Sequence, residues 1–162
     1  MTGPRLTSWD YSEGYAYFLT ICTNNQQNIL AECCALESAV VGRGIPDAPV
    51  VRLSSYGSFV QETLEYLNTS WDSITIFNYV IMPDHIHILV QVHGEATTNV
   101  PANAVIPKFV SALKRFTNKK SQKSLWQSGY HDHIIRNQLD FQKHWSYIDN
   151  NPHARILKAY PL

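Results

Sequence analysis

Ile74-Thr75-Ile76-Phe77-Asn78-Tyr79-Val80-Ile81-Met82-Pro83-Asp84-His85-Ile86-His87-Ile88-Leu89-Val90-Gln91-Val92 decides how this chain folds. Two runs rich in β-branched and aromatic residues flank a Met-Pro-Asp turn, which predicts an antiparallel hairpin. Side chains alternate along a strand, so His85 and His87 share one face and Ile86 takes the other. At about 3.3 Å of rise per residue they stand roughly 6.6 Å apart along the strand. That is close enough for two imidazoles to grip one metal ion. Imidazoles on an apolar hairpin carry a desolvation cost unless partnered. Two readings follow: hydrogen bonding at a strand edge, or a metal site that acts on phosphate.

Outward from the hairpin, Tyr15 to Thr23 is aromatic and β-branched and reads as a first strand, ended by Asn24 to Asn28. Ala31 to Pro49 holds Gly42, Gly44, Pro46 and Pro49 and reads as a loop or short hairpin. A helix opens near Ser54 or Ser55, with Phe59, Val60, Thr63, Leu64 and Leu67 as its apolar stripe. His93 to Asn103 is polar and small, a loop. Val105 to Lys120 is amphipathic: Ile106, Phe109, Val110, Leu113 and Phe116 face inward, and Lys108, Arg115 and Lys119 outward. Leu125 to Gln127 and Tyr130 to Arg136 form a last strand region. Asn137 or Asp140 caps a final helix that runs to about Asn151, where Pro152 stops it. Strand, helix, strand, strand, helix, strand and an extra helix make an α+β chain. Its pattern is the ferredoxin-like split β-α-β antiparallel sheet with helices on one face. The other face is left for a ligand or a second subunit. Residues 1–162 read as one domain, with no internal repeat.

Composition narrows the function. Hydrophobic residues are 44% of the 162, enough for a real core. Thirteen basic and thirteen acidic residues cancel, so global charge names no partner. Between Ala96 and His131, however, there is no Asp or Glu, while Lys108, Lys114, Arg115, Lys119, Lys120 and Lys123 all fall there. The patch is either a solvated helix face or a phosphate-binding surface. Cys22, Cys33 and Cys34 have neither zinc-ligand nor disulfide-framework spacing and are expected reduced in a cytosol. The N-terminus lacks signal-peptide order and no apolar run nears the roughly 20 residues of a membrane span. A cytoplasmic protein without a membrane partner is expected.

Two histidines leave coordination positions empty, which suits Mg²⁺ or Mn²⁺ holding a phosphate oxygen. In the last helix Tyr147 and Asn151 are four apart and share a face. An amide oxygen from Asn151 can complete a metal site, with Tyr147 one turn earlier beside the phosphate. A phenol, with pKa about 10, is a poor nucleophile unless assisted. Taken alone, Tyr147 reads first as ordinary packing beside Trp145 and Ile148. His131-Asp132-His133 is a second His-x-His and a competitor for metal, or else His133 supports the first pair from behind or hydrogen-bonds nearby backbone. Asp84 either orients a His ring or caps the turn. His93, His144 and His153 are expected at the surface. Trp9, Trp71, Trp126 and Trp145 are candidates for stacking on unpaired bases.

Three stretches occur in order: Tyr79 to Val90, Trp126 to Asn137 and Tyr147-Ile148-Asp149-Asn150-Asn151-Pro152. Together with Tyr17 to Asn25 they resemble the REP-associated tyrosine transposases of the single-tyrosine HUH superfamily. The resemblance covers nearly the whole chain. It implies metal-dependent cleavage of single-stranded DNA through a 5′-phosphotyrosine link, with a free 3′-hydroxyl that later rejoins the strand. It implies His85 and His87 as metal ligands, Tyr147 as nucleophile and Asn151 as third ligand; Gln is common there in the insertion-sequence branch. His133 and Asp84 would back the site, and Lys108, Lys114, Arg115 and Lys119 would hold DNA phosphates. Hairpin-forming repeats as target, and a monomer or a homodimer sharing its sites, are likewise implied by resemblance. Two other classes remain: a non-catalytic single-stranded nucleic-acid-binding module of the same fold, and a metal phosphoesterase that uses water.

Overall fold

The computed structural model describes residues 14–34, 49–93 and 102–159. Trp9, Gly42, Gly44 and Pro46 lie outside them. A four-stranded antiparallel sheet is built from β1 (Gly14–Cys22), β4 (Ile74–Ile81), β5 (His85–His93) and β6 (His131–Ile134), in the order β4-β5-β1-β6. That is the ferredoxin-like order, with β1 between the hairpin and the last strand. β2 (Ala31–Cys34), at the start of the stretch read as a loop or short hairpin, pairs with β3 (Val50–Leu53), just beyond its end, as a separate antiparallel pair.

The sheet face bearing Tyr17, Leu19, Ile21, Ile86, Ile88 and Val90 is covered by α1 (Ser55–Ser70) and α2 (Ala102–Ser121). Val60, Leu64 and Leu67 of α1 and Ile106, Phe109, Val110 and Leu113 of α2 fill this core, in line with the apolar stripes of the sequence. Ser54 caps α1 by accepting from the Gly57 N–H at 3.1 Å. Gly57 sits where a Cβ would lie 2.1 Å from the Leu30 carbonyl oxygen, so only glycine fits. α2 starts at Ala102, inside the segment expected to be loop, with Pro107 in its second turn.

The opposite face is not open. α3 (Gln138–Ala159) lies on it, packing Phe141, Trp145 and Ile148 against Ala16 and Leu89, with Phe18, Phe77 and Val80 alongside. This helix also runs past Pro152, where it was expected to stop. Pro152 has no N–H to give the Ile148 carbonyl. The loss is offset because Trp145, Ile148, Pro152 and Ile156, spaced along one helical face, are all buried. Tertiary packing here overrides local propensity.

Candidate active site

His85 and His87 sit on β5 with the parity of Leu89, so they face α3 rather than the α1–α2 core. Their ring centroids are 4.6 Å apart. Register places Thr20 of β1 opposite His87 and Cys22 opposite His85. The Thr20 hydroxyl lies 2.9 Å from His87 Nδ1, and His85 Nδ1 donates to Asp84 Oδ1 at 2.8 Å. Both rings are thus engaged through Nδ1, which leaves Nε2 as the nitrogen that could bind an ion; metal-binding imidazoles are commonly held in this way. His87 is 5% exposed. Burial, then the neighbouring charge of His85, pulls its pKa down from 6.5 to about 3, so it is a neutral imidazole at ordinary pH.

Asp84 accepts the hydrogen bond from the His85 ring. Burial alone would raise its pKa, but the hydrogen bond and charge of His85 and the charge of Arg155 outweigh that and hold it below the usual carboxylate value. Arg155, near the far end of α3, reaches Asp84 with Nη1 at 3.3 Å and donates from Nη2 to Asn28 Oδ1 at 3.0 Å. It ties the helix beyond Pro152 to the hairpin turn. The turn is fixed from below as well, since the Thr23 N–H and hydroxyl both donate to the Asp84 carbonyl.

Tyr147 meets this pair within one chain. Its ring centroid is 5.3 Å from that of His87, and the residue is 52% exposed. Phe18 of β1 packs beside both as a hub: its ring is 5.0 Å from His87, 5.9 Å from Tyr147 and 4.6 Å from His144. Asn151 is half-buried one turn beyond Tyr147. Among the described residues no side-chain hydrogen bond joins it to either histidine. Asn78 of β4 donates to Asp149 Oδ1 at 3.0 Å and so pins the turn of α3 between Tyr147 and Asn151.

Other expected site residues lie elsewhere. His133 does not touch His85 or His87; its Nε2 is 2.9 Å from Asp140 Oδ2, and its ring stacks on His144 at 4.7 Å. His144, expected at the surface, is therefore half-buried within a second cluster, since His133, Asp140 and His144 offer ligand atoms within 4.8 Å of one another. His93 is also half-buried, 2.8 Å from the Thr75 hydroxyl, and His153 is half-buried too. Trp126 is not free to stack on bases: it is buried and donates from Nε1 to Thr117 Oγ1 at 2.7 Å. Trp145 is buried under the sheet, and Trp71 packs edge-on to Phe109.

The basic helix splits. Lys114 is half-buried and donates from Nζ to the carbonyls of Gln127 and Gly129, at 2.9 and 2.5 Å. Lys120 pairs with Glu62. Lys108, Arg115 and Lys119 are exposed. They belong to the layer that covers the opposite face of the sheet from Tyr147. The sequence singled out none of Phe18, Thr20, Arg155 and Asp140 for the site. Only the Asp140–His144 pair, four apart on a helix, had a local signal.

Comparison with known proteins gives the chain its family. A Haemophilus influenzae strain Rd protein of no assigned function is 26% identical over 168 aligned positions, spanning 91% of this chain and 86% of that protein. A second protein of that strain, named as a candidate REP-associated tyrosine transposase, is 27% identical over 93 positions, about half of each chain. A solved REP-associated tyrosine transposase bound to a REP hairpin superposes with a TM-score of 0.60, at 18% identity, over 96% of this chain and 74% of that one. At that identity the likeness speaks for the fold. Among the described residues no helix is long and apolar enough to cross a membrane. Residues 54–151, more than half of the sequence and the span that runs from the α1 cap through both histidines to Asn151, match the profile of the IS200-like transposases, and the chain belongs to that family.

Proposed function

We propose that this protein cuts and rejoins single-stranded DNA, with Tyr147 as nucleophile and a divalent ion, Mg²⁺ or Mn²⁺, held by His85, His87 and Asn151. The observation that carries this is the approach of the Tyr147 ring to 5.3 Å from His87. The donor set fits such an ion. Both imidazoles are turned by Nδ1 partners, and His87 stays uncharged far below neutrality. When bound, the ion would neutralise charge on the phosphate oxygens and hold the phosphorus for in-line attack.

The chain's own residues supply the rest. The Tyr147 oxygen forms a bond to phosphorus as the bond from phosphorus to the 3′ oxygen breaks. The upstream strand leaves with a 3′-hydroxyl and the downstream strand stays on Tyr147 through its 5′-phosphate. The phenol proton passes to water at this exposed position, and the leaving oxygen takes one from water. Attack by a 3′-hydroxyl on the phosphotyrosine reverses the exchange and rejoins a strand. Phe18 packs against both the His87 and Tyr147 rings and sets their spacing. Because histidines and tyrosine meet in one chain, a monomer carries a full site in this reading. The substrate is read as hairpin-forming single-stranded DNA, in keeping with the REP hairpin held by the solved relative. Lys108, Arg115 and Lys119 then contact phosphates away from the scissile bond, and binding weakens steeply with salt. The protein is read as cytoplasmic.

The test uses 3′-labelled single-stranded hairpin DNA with Mn²⁺. A labelled band at protein size that survives denaturant is expected, lost in Tyr147→Phe and lost with a chelator. Cleavage that persists in Tyr147→Phe would make the enzyme a water-using phosphoesterase. Binding with no cleavage at all would make the protein a passive binding module.

A further inference from the structure

We propose a second metal site, separate from the His85–His87 pair, formed by His133, Asp140 and His144, which takes a zinc-class ion and staples β6 to α3. The proposal stands on geometry and does not depend on the DNA chemistry above. His133 comes from the edge strand β6, and Asp140 and His144 from one face of the first turns of α3. His133 Nε2 lies 2.9 Å from Asp140 Oδ2, and His144 Nδ1 lies 3.1 Å from Asp140 Oδ1. All three ligand atoms fall within 4.8 Å of one another. The two imidazoles stack at 4.7 Å and 24°, so both present a nitrogen to the same carboxylate. That carboxylate is steadied by the Arg136 N–H at 3.1 Å, the kind of outer hydrogen bond that orients metal ligands.

The donor chemistry selects the ion. Two imidazoles and one carboxylate are a borderline set that favours Zn²⁺ or Co²⁺ over Mg²⁺. Three protein ligands leave one tetrahedral position for water. The Asp140 and His144 side chains are each 18% exposed and that of His133 45%, so the cluster opens to solvent on the His133 side. His144 Nδ1 also lies 2.9 Å from the Asp140 carbonyl, a contact an ion would replace. The cluster draws its ligands from β6 and α3 rather than β5, and the Phe18 ring packs against both His144 and His87, at 4.6 and 5.0 Å. It is nevertheless on the helix that carries Tyr147, three residues before it. An ion there would fix the start of that helix on the sheet edge.

Equilibrium titration with Co²⁺ and Zn²⁺, followed by visible absorption and thermal melting, tests this. The parent protein should take up one equivalent of Co²⁺ beyond that bound at His85 and His87, with d–d absorption, and should melt higher with Zn²⁺ but not with Mg²⁺. His133→Gln changes a largely exposed side chain and should fold. It should lose that equivalent and weaken Zn²⁺ binding at least tenfold. A His85→Ala/His87→Ala variant should keep it. Stoichiometry unchanged in both His133→Gln and His144→Gln, or no saturable uptake in the His85→Ala/His87→Ala variant, would reduce the triad to a hydrogen-bond network and overturn the proposal.

Discussion

The two faces of the sheet are built for different ends. The face under α1 and α2 is apolar along its central strands, from Leu19 and Ile21 on β1 to Ile86, Ile88 and Val90 on β5, and it holds the larger core. The face under α3 is divided. Ala16, Leu89, Phe141, Trp145 and Ile148 form a small apolar cluster at one end, while His85, His87, Thr20 and Tyr147 occupy the other. One strand, β5, serves both, since odd positions carry the polar group and even positions the main core. The larger core thus lies away from the proposed site. The proposed chemistry sits on a face whose apolar cluster is smaller and whose helix is an addition to the basic fold.

The comparison is broken most directly by truncating matched aromatic residues. Phe109→Ala removes a fully buried ring from the larger core and Phe141→Ala one from the smaller; each should cost about 3–5 kcal/mol. The first should lower the whole cooperative unfolding transition. The second should loosen α3 first, visible as faster amide exchange in α3 while β5 and α1 stay protected. Equal exchange across all elements in Phe141→Ala would mean that the two faces form one unit. Gly57→Ala should destabilise the α1 side by about 1–3 kcal/mol, because the new methyl meets the Leu30 backbone, which cannot step aside. Denaturant midpoints measure this, and DNA cleavage per folded molecule should be unchanged.

On the other face the expected effects are chemical and smaller in stability. Arg155→Gln frees Asp84 and, through it, the His85 ring. Affinity for Mn²⁺ should fall about 10-fold to 100-fold, the usual cost of losing a partner behind a metal ligand, with little change in melting temperature. A mainly structural Arg155 would do the reverse. The smallest effect is a slope in pH. Folded His87 has its pKa depressed from 6.5 to about 3. As pH falls from about 6.5 towards 3, the unfolded chain gains a proton there that the folded chain refuses, so metal-free stability falls across that window. Above 6.5 His87 adds no slope. His87→Gln keeps an amide for Thr20 but cannot titrate. The stability difference between the two proteins should therefore vary with pH only inside that window, as equilibrium unfolding at several pH values will show.

Much of this molecule is legible locally. The hairpin of Ile74 to Val92, the α1 stripe with its Ser54 cap and the α2 stripe all follow from residue periodicity. His85 and His87 on a common face follow from strand alternation alone, and Tyr147 and Asn151 from helical spacing. Three features do not. Pro152 marks a stop by its own chemistry, yet α3 passes through it, because apolar residues on either side find a surface to cover. The lysines of α2 look equivalent in sequence, yet Lys114 is drawn to loop carbonyls and Lys120 to Glu62. His144 looked like a surface residue because its partners, His133 and Phe18, come from two other strands.

The sequence by itself determined which residues could share a face, because strand and helix periods are properties of the local backbone. Only the tertiary structure decided which faces meet. It put β1 between β5 and β6, so that Phe18 reaches His87 on one side and His144 on the other. It also laid α3 across the sheet, so that Tyr147 arrives beside His87. Those meetings join residues separated by tens of positions. They are set by the burial of Phe141, Trp145 and Ile148 against the sheet, a balance of packing that no local pattern encodes.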